Sequence, residues 1–242
     1  VDKLIEKDIK FYVIGKVIDQ AILKIIKNEQ YEHFDIAHWR DIWYGISYTM
    51  DTKQTQPALA KQRFDNYKNQ ALDFIFPQKW NNIKESLTKT NLQAKTKRPK
   101  SAIIREKGSN GDREMAYALY YAGFDVKDVH MTDLISGQET LEDISMIVFV
   151  GGFSNSDVLG SAKGWAGTFL YNENAKKALD NFYARPDTLS LGVCNGCQLM
   201  IELGLITSNS SNTPKMLHND SKKFESAFLS VDIPKNNSIM LN

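Results

Sequence analysis

Four short apolar runs set the rhythm of the second half of the chain: SAIIRE (101–106), FDVKDVH (124–130), SMIVFV (145–150) and TLSLGV (188–193). Runs of this length, rich in β-branched residues, read as strands. Segments with helical spacing lie among them, at Arg113–Ala122, Glu173–Tyr183 and Gly196–Leu203, and Gly123 stands where a helix C-cap belongs. Strands alternating with helices, the inner strands almost wholly apolar, predict a doubly wound parallel α/β sheet. In such sheets the ligand crevice lies beyond the C-terminal strand ends. Three loops leave strands there, EKGSNGD, GGFSNSD and CNGCQ, and the site is expected among them.

The first hundred residues follow another pattern. KFYVIGKVI (10–18) reads as a strand, the edge of a sheet lying mostly upstream. From Asp35 to Met50, Trp39, Ile42, Trp43 and Ile46 recur at helical spacing and predict a helix with one buried stripe. A second helix is expected over Pro57–Leu72, interrupted at Pro77, with a short helix over Trp80–Leu87. TKTNLQAKTKRPK (88–100) is polar, basic and without period, which reads as a linker. The expected division is 1–30 (strand plus helix), 31–87 (helical connector), 88–100 (linker) and 101–242 (α/β domain).

Charge narrows the partners. Thirty Lys+Arg stand against 29 Asp+Glu, so no net field points to nucleic acid or a membrane surface. Two cysteines are too few for a disulfide framework, no apolar run reaches the ~18 residues of a membrane span, and the start has no signal-peptide core. Cytoplasmic residence is the expectation. The chain begins without Met and stops without a closing element, and reads as a piece of something longer.

The chemistry concentrates in GVCNG (192–196). Gly-x-Cys-x-Gly between a strand and a helix is the cysteine form of the nucleophile elbow. Glycines two before and two after the cysteine remove side chains that would collide as the backbones close. Cys194 is then held above the sheet at a helix start, where free N–H groups favour a thiolate. The backbone N–H of Asn195 can stabilise an oxyanion, and a second donor is expected from GGFS, at Gly152 or Phe153. Cys197, one turn on, is expected to pack against the sheet. The competing reading is a Cys-x-x-Cys dithiol. Zinc lacks a second ligand pair. EKGSNGD lacks the Gly-Lys-Ser/Thr ending of a phosphate loop and reads as a turn on the rim of the site. His33, His38, His130 and His218 are scattered, and none has motif support as a catalytic base.

LGVCNGCQLM, with GGFSNSDVLGSAKGWAG (151–167), resembles the glutaminase domain of the phosphoribosylformylglycinamidine synthases, class I glutamine amidotransferases. The likeness runs through SAIIREKGSNGDREMAYALYYAGFDVKDVHMTDL and, more loosely, NDSKKFE (219–225). DIAHWRDIWYGISYTMDTKQTQPALAKQRFDNYK is similar to the helical stretch before the glutaminase in the large single-chain form. The resemblance implies a flavodoxin-like fold and the hydrolysis of glutamine to glutamate and ammonia. The ammonia would serve ATP-dependent conversion of formylglycinamide ribonucleotide to its amidine, in purine synthesis. It makes Cys194 the nucleophile that forms a glutamyl thioester, and sets Gln198, Gly151, Gly152 and Asn195 around the substrate. It implies no cofactor in this chain. ATP and Mg²⁺ would bind a synthetase core in the same polypeptide, with glutamine the small-molecule partner. Two departures stand out. Asn155 and Ser156 replace a Tyr-Gly found in many relatives, and the family's Pro-His-Pro-Glu, which carries the triad His and Glu, does not occur in the 242 residues. The chain alone is therefore expected to be nearly inactive. The alternatives are a non-catalytic module that docks or guides ammonia, and the dithiol oxidoreductase.

Overall fold

In the computed structural model the described residues are 1–69, 97–206, 214–226 and 229–240. The expected helix over Trp80–Leu87, the Pro77 break and most of the 88–100 linker lie outside them. The chain divides into two compact units, residues 1–74 with 218–242, and residues 75–217. Of the segment expected with the α/β domain, the described residues from 218 onward cluster with the N-terminal unit.

The N-terminal unit holds α1 (Asp2–Ile5), β1 (Ile22–Lys27), β2 (Gln30–Asp35), α2 (Ile36–Gln54) and α3 (Pro57–Asn66). Residues 10–18 form no strand; β1 and β2 pair instead as an antiparallel hairpin. Its two-residue turn places Asn28 and Glu29 at φ 49° and 66°. Positive φ at both turn positions matches the right-handed twist of a hairpin. Asn-Glu is a weak signal for such a turn, and the charged partners across the hairpin mask its alternation. Helix α2 starts at Asp35, whose carboxylate accepts the His38 N–H at 2.8 Å, an N-cap that satisfies one free donor of the first turn. The expected stripe is a correction: Trp39, Ile42, Trp43 and Ile46 are exposed, Trp43 by 77%. The ring contacts of α2 to α3 and the residues after it run along another side, where Tyr44 stacks on Tyr67 (4.5 Å) and Tyr48 on Phe64 (4.7 Å). Asp51 joins Arg63 at 3.2 Å and also pairs with Lys223, fastening the returning segment.

The second unit carries the predicted sheet. In chain order it has β3 (Lys100–Arg105), β4 (Ser109–Asn110), α4 (Asp112–Tyr121), β5 (Asp125–His130), α5 (Met131–Ser136), β6 (Met146–Phe149), β7 (Gly151–Gly152), α6 (Lys163–Tyr171), α7 (Glu173–Ala184), β8 (Leu189–Gly192) and α8 (Asn195–Glu202). Four strands lie in the order β5-β3-β6-β8, every pair parallel. The strand period of two sends neighbouring residues to opposite faces. Ala102, Ile104, Ile147 and Phe149 face the core built with α5 to α8, while Ile103, Met146 and Val148 face α4. Both faces are covered, which is why these strands are continuous apolar runs. Phe149, fully buried, meets Trp165 and Phe169 edge-on at 6.0 Å. The chain order reverses direction between β3 and β6, so the loops after these strands diverge there, at the position where doubly wound sheets bind ligands.

Candidate active site

Cys194 occupies the turn between β8 and α8 with φ 54° and ψ −111°. Only glycine visits such a region freely; for other residues it costs about 1–3 kcal/mol. The fold holds the strain through close backbone packing on both sides. A Cβ on Gly192 would stand 2.6 Å from the Gly196 carbonyl oxygen, and one on Gly196 only 2.0 Å from that of Phe149. That Phe149 carbonyl also accepts the Val193 N–H at 3.0 Å, which extends the β6–β8 ladder to the residue before the cysteine. Glycine at both positions thus lets strand and helix close on each other and lifts the thiol to the strand ends.

The loop after β6 forms the facing wall. A Cβ on Gly151 would lie 3.1 Å from Cys194 Cβ and 3.8 Å from its Sγ, so the loop backbone runs directly against the cysteine. Gly151 and Gly152 pair with Ser109 and Asn110 in a two-residue antiparallel ribbon. The KGSNGD turn therefore braces the glycine loop, which agrees with a rim element. Gly152 has φ 105°, and a Cβ on it would stand 2.6 Å from the Asn110 N, so a side chain has no room. The Phe153 N–H donates to the Gly108 carbonyl at 3.0 Å, and Asn155 N–H to that of Lys107 at 2.7 Å. Phe153 as an oxyanion donor is thus corrected: the ribbon consumes its N–H and its side chain is 71% exposed.

Helix α8 positions the remaining residues. Asn195, Gly196, Leu199 and Met200 are buried, defining the face against the sheet. Cys197 lies roughly 130° around the helix from the middle of that face and is exposed, not packed as expected. Asn195 and Gln198 are joined: Asn195 Nδ2 donates to Gln198 Oε1 at 2.8 Å. Asn195 Oδ1 accepts the Ser154 N–H at 3.0 Å, tying the helix to the glycine loop. The sequence pattern points only to the Asn195 N–H; its side chain is 1% exposed and links the two walls. As the first helical residue Asn195 has a backbone N–H without an intrahelical partner. Ser154 carries no signal in the sequence. It is buried, and its hydroxyl has no partner among the described residues.

The charged groups at the strand ends are engaged elsewhere. His130, the one histidine within residues 75–217, caps α5 and accepts the Thr132 N–H through Nδ1 at 3.3 Å. It ends β5, three strands from β8 and so about 14 Å away laterally. Arg105 is held by Asp128 at 2.6 and 2.9 Å, and this hydrogen bonding keeps its guanidinium firmly charged. Among the described residues no cluster of three His, Cys, Asp or Glu side chains could hold a metal ion.

Residues 98–242 match the family profile of the CobB/CobQ-like glutamine amidotransferase domain. Over 253 aligned residues the chain is 40% identical to a probable phosphoribosylformylglycinamidine synthase, chloroplastic/mitochondrial, of Arabidopsis thaliana, covering 99% of this chain and 17% of the relative. The phosphoribosylformylglycinamidine synthase of Dictyostelium discoideum is 40% identical over 82% of this chain and 15% of its own length. A probable counterpart from Caenorhabditis elegans is 53% identical over 60% and 11%. The chain thus spans 11–17% of the length of these relatives. A solved structure, that of PurLQS from Thermotoga maritima, aligns at 28% identity with a TM-score of 0.37, covering 46% of this chain and 47% of that one.

Proposed function

This chain belongs to the CobB/CobQ-like glutamine amidotransferase domain family, and we propose that Cys194 opens glutamine hydrolysis by attacking the side-chain amide carbon. The observation that carries the reading is the strained Cys194 backbone held between Gly192, Gly196 and Gly151. The Cys194 sulfur forms a bond to the amide carbon, and the carbonyl electrons move onto oxygen. The Asn195 N–H stabilises that oxyanion, with Gly152 the candidate for the second donor. The carbon–nitrogen bond then breaks, nitrogen takes a proton and leaves as ammonia, and a γ-glutamyl thioester remains on Cys194. Water cleaves the thioester, releasing glutamate and restoring the thiol. Gln198 contributes to holding the substrate. Proton transfer needs a general base and acid. His130 is engaged as a cap, and the 242 residues contain no Pro-His-Pro-Glu, so this chain alone is proposed to turn over slowly.

The names of the relatives support the wider proposal: ammonia made here serves phosphoribosylformylglycinamidine synthesis, in purine biosynthesis, on a synthetase part of the same polypeptide. ATP and Mg²⁺ are proposed to belong to that part, as the resemblance carried by GVCNG and GGFS implies. Cytoplasmic residence stays part of the proposal. Among the described residues no helix is long and apolar enough to cross a membrane, and the Arabidopsis relative is named for chloroplast and mitochondrion.

The test is acid quenching of the chain with isotopically labelled glutamine, followed by peptide mapping. A hydroxylamine-sensitive glutamyl adduct on Cys194, absent in Cys194→Ala, is expected, with little glutamate released. An adduct shared with Cys197, or turnover that survives Cys194→Ala, overturns the proposal. A reversible Cys194–Cys197 disulfide with no glutamyl adduct would favour the dithiol reading.

A further inference from the structure

We infer that Asn195, through its side chain, is a positioning residue that fixes the polarity of Gln198, so that Gln198 offers its NH₂ group to the α-carboxylate of the substrate. The inference rests on the glutaminase reading and assigns a specificity role within that site. Its starting point is a group whose polarity is beyond choice. The backbone N–H of Ser154 can only donate, and it lies 3.0 Å from Asn195 Oδ1. Asn195 is 1% exposed, so water is not at hand to accommodate a flipped amide. With oxygen toward Ser154, the Asn195 nitrogen must face Gln198, and a nitrogen at 2.8 Å requires the Gln198 oxygen opposite it. The Gln198 carbonyl is thereby occupied, and its NH₂ points away from Asn195. Flipping either amide would set two donors against each other, at the cost of an unsatisfied buried group. A backbone donor in the glycine loop therefore dictates, through two side-chain amides, what the half-buried Gln198 shows to a ligand.

That display suits one end of glutamine. The substrate's side-chain carbonyl belongs in the oxyanion site, and its α-ammonium group is itself a donor. The α-carboxylate is the charged acceptor that remains. The separation fits as well. Gln198 follows Cys194 by four residues, a helical rise of about 6 Å, with the Gln198 N–H bonded to the Cys194 carbonyl at 3.2 Å. An extended glutamine spans ~5 Å from amide carbon to carboxylate carbon, estimated from standard bond lengths. Helical side chains also lean toward the N-terminus, which carries the Gln198 amide back toward the nucleophile.

The experiment uses the whole chain and two chloroketone electrophiles, one carrying the L-glutamine skeleton and one with its α-carboxylate replaced by a carboxamide. Iodoacetamide serves as a probe that mimics neither. Wild-type protein should label Cys194 with a lower half-saturating concentration for the carboxylate reagent. Gln198→Glu keeps the shape and still accepts from Asn195, but has no donor left. It should raise that concentration for the carboxylate reagent by tenfold or more and narrow or invert the preference between the two reagents, with iodoacetamide reporting any general change in thiol reactivity. Asn195→Leu should raise the same concentration, and its effect should largely vanish in the Gln198→Met background. A structural role alone would lower all labelling rates together and leave the reagent preference intact. Unchanged preference in Gln198→Glu, or additive effects of Asn195→Leu and Gln198→Met, would overturn the inference while leaving the glutaminase reading standing. Failure of wild-type Cys194 to label ahead of Cys197 would overturn both.

Discussion

Replacing Gly196 by alanine puts a single methyl group where the elbow has no room. The new Cβ would stand 2.0 Å from the Phe149 carbonyl oxygen, 2.5 Å from its carbon and 2.8 Å from the Phe149 Cβ. Tolerable contacts begin near 3.0 Å, so α8 and the end of β6 must separate by about 1 Å. Neither side yields easily, because the obstacle is the backbone of a fully buried residue whose carbonyl also closes the β8 ladder. Alanine gains at most about 1 kcal/mol in helix propensity, whereas overpacking of this kind costs about 3 kcal/mol. A net loss near 2 kcal/mol corresponds to a melting temperature lower by roughly 4–8 °C. The chemical effect should be larger, since a 1 Å displacement of the Asn195 N–H and Cys194 from a reacting carbonyl costs about 100-fold in rate. The assay is thermal unfolding together with the rate of Cys194 labelling by the glutamine chloroketone. Gly167→Ala is the control, because its Cβ would meet nothing nearer than a Tyr171 ring atom at 3.8 Å. If Gly196→Ala melts and labels as the wild type does, close packing is not what shapes this elbow.

Other substitutions probe separate parts of the account. His130→Asn retains a capping side chain and should leave Cys194 labelling within twofold of wild type, as read by mass spectrometry; a tenfold loss would place His130 in the chemistry. Ser156 holds a left-handed conformation at φ 55° and ψ 19°, so Ser156→Gly should stabilise the protein by about 0.5–1 kcal/mol in urea unfolding. Burial pushes the Tyr183 phenol above its ordinary value. The unfolded chain therefore loses this proton first, and the contribution is intact below pH ~10 and fades as pH rises toward the folded value. Urea midpoints of Tyr183→Phe from pH 9 to 11 should fall less steeply than those of the wild type.

The strands and the elbow were legible because their causes are local. Ile103–Ile104 and Ile147–Phe149 are continuous apolar runs only a sheet covered on both faces would need, and Gly192-x-Cys194-x-Gly196 encodes the backbone contact that makes the turn. What escaped the sequence depends on partners distant in the chain. The Phe153 N–H is spent on Gly108, which only the ribbon between two loops brings near. Cys197 shares an apolar stretch with Leu199 and Met200, yet the α8 face against the sheet passes it by. The Trp39 stripe has helical spacing, which fixes a helix but not which of its faces packs. The Asn195–Gln198 bond was open to discovery, as polar residues three apart on a helix are neighbours. Its anchor at Ser154, 41 residues away, was not.

On the proposed reading Cys194, and not the cysteine pair, receives glutamine. Competitive labelling tests it most directly. The whole chain is treated with the L-glutamine chloroketone, with and without L-glutamine or D-glutamine, and both cysteines are quantified by peptide mapping. Cys194 should label well ahead of Cys197, and L-glutamine should protect it where D-glutamine does not. Equal, slow labelling of both cysteines with no protection by either enantiomer would contradict the account.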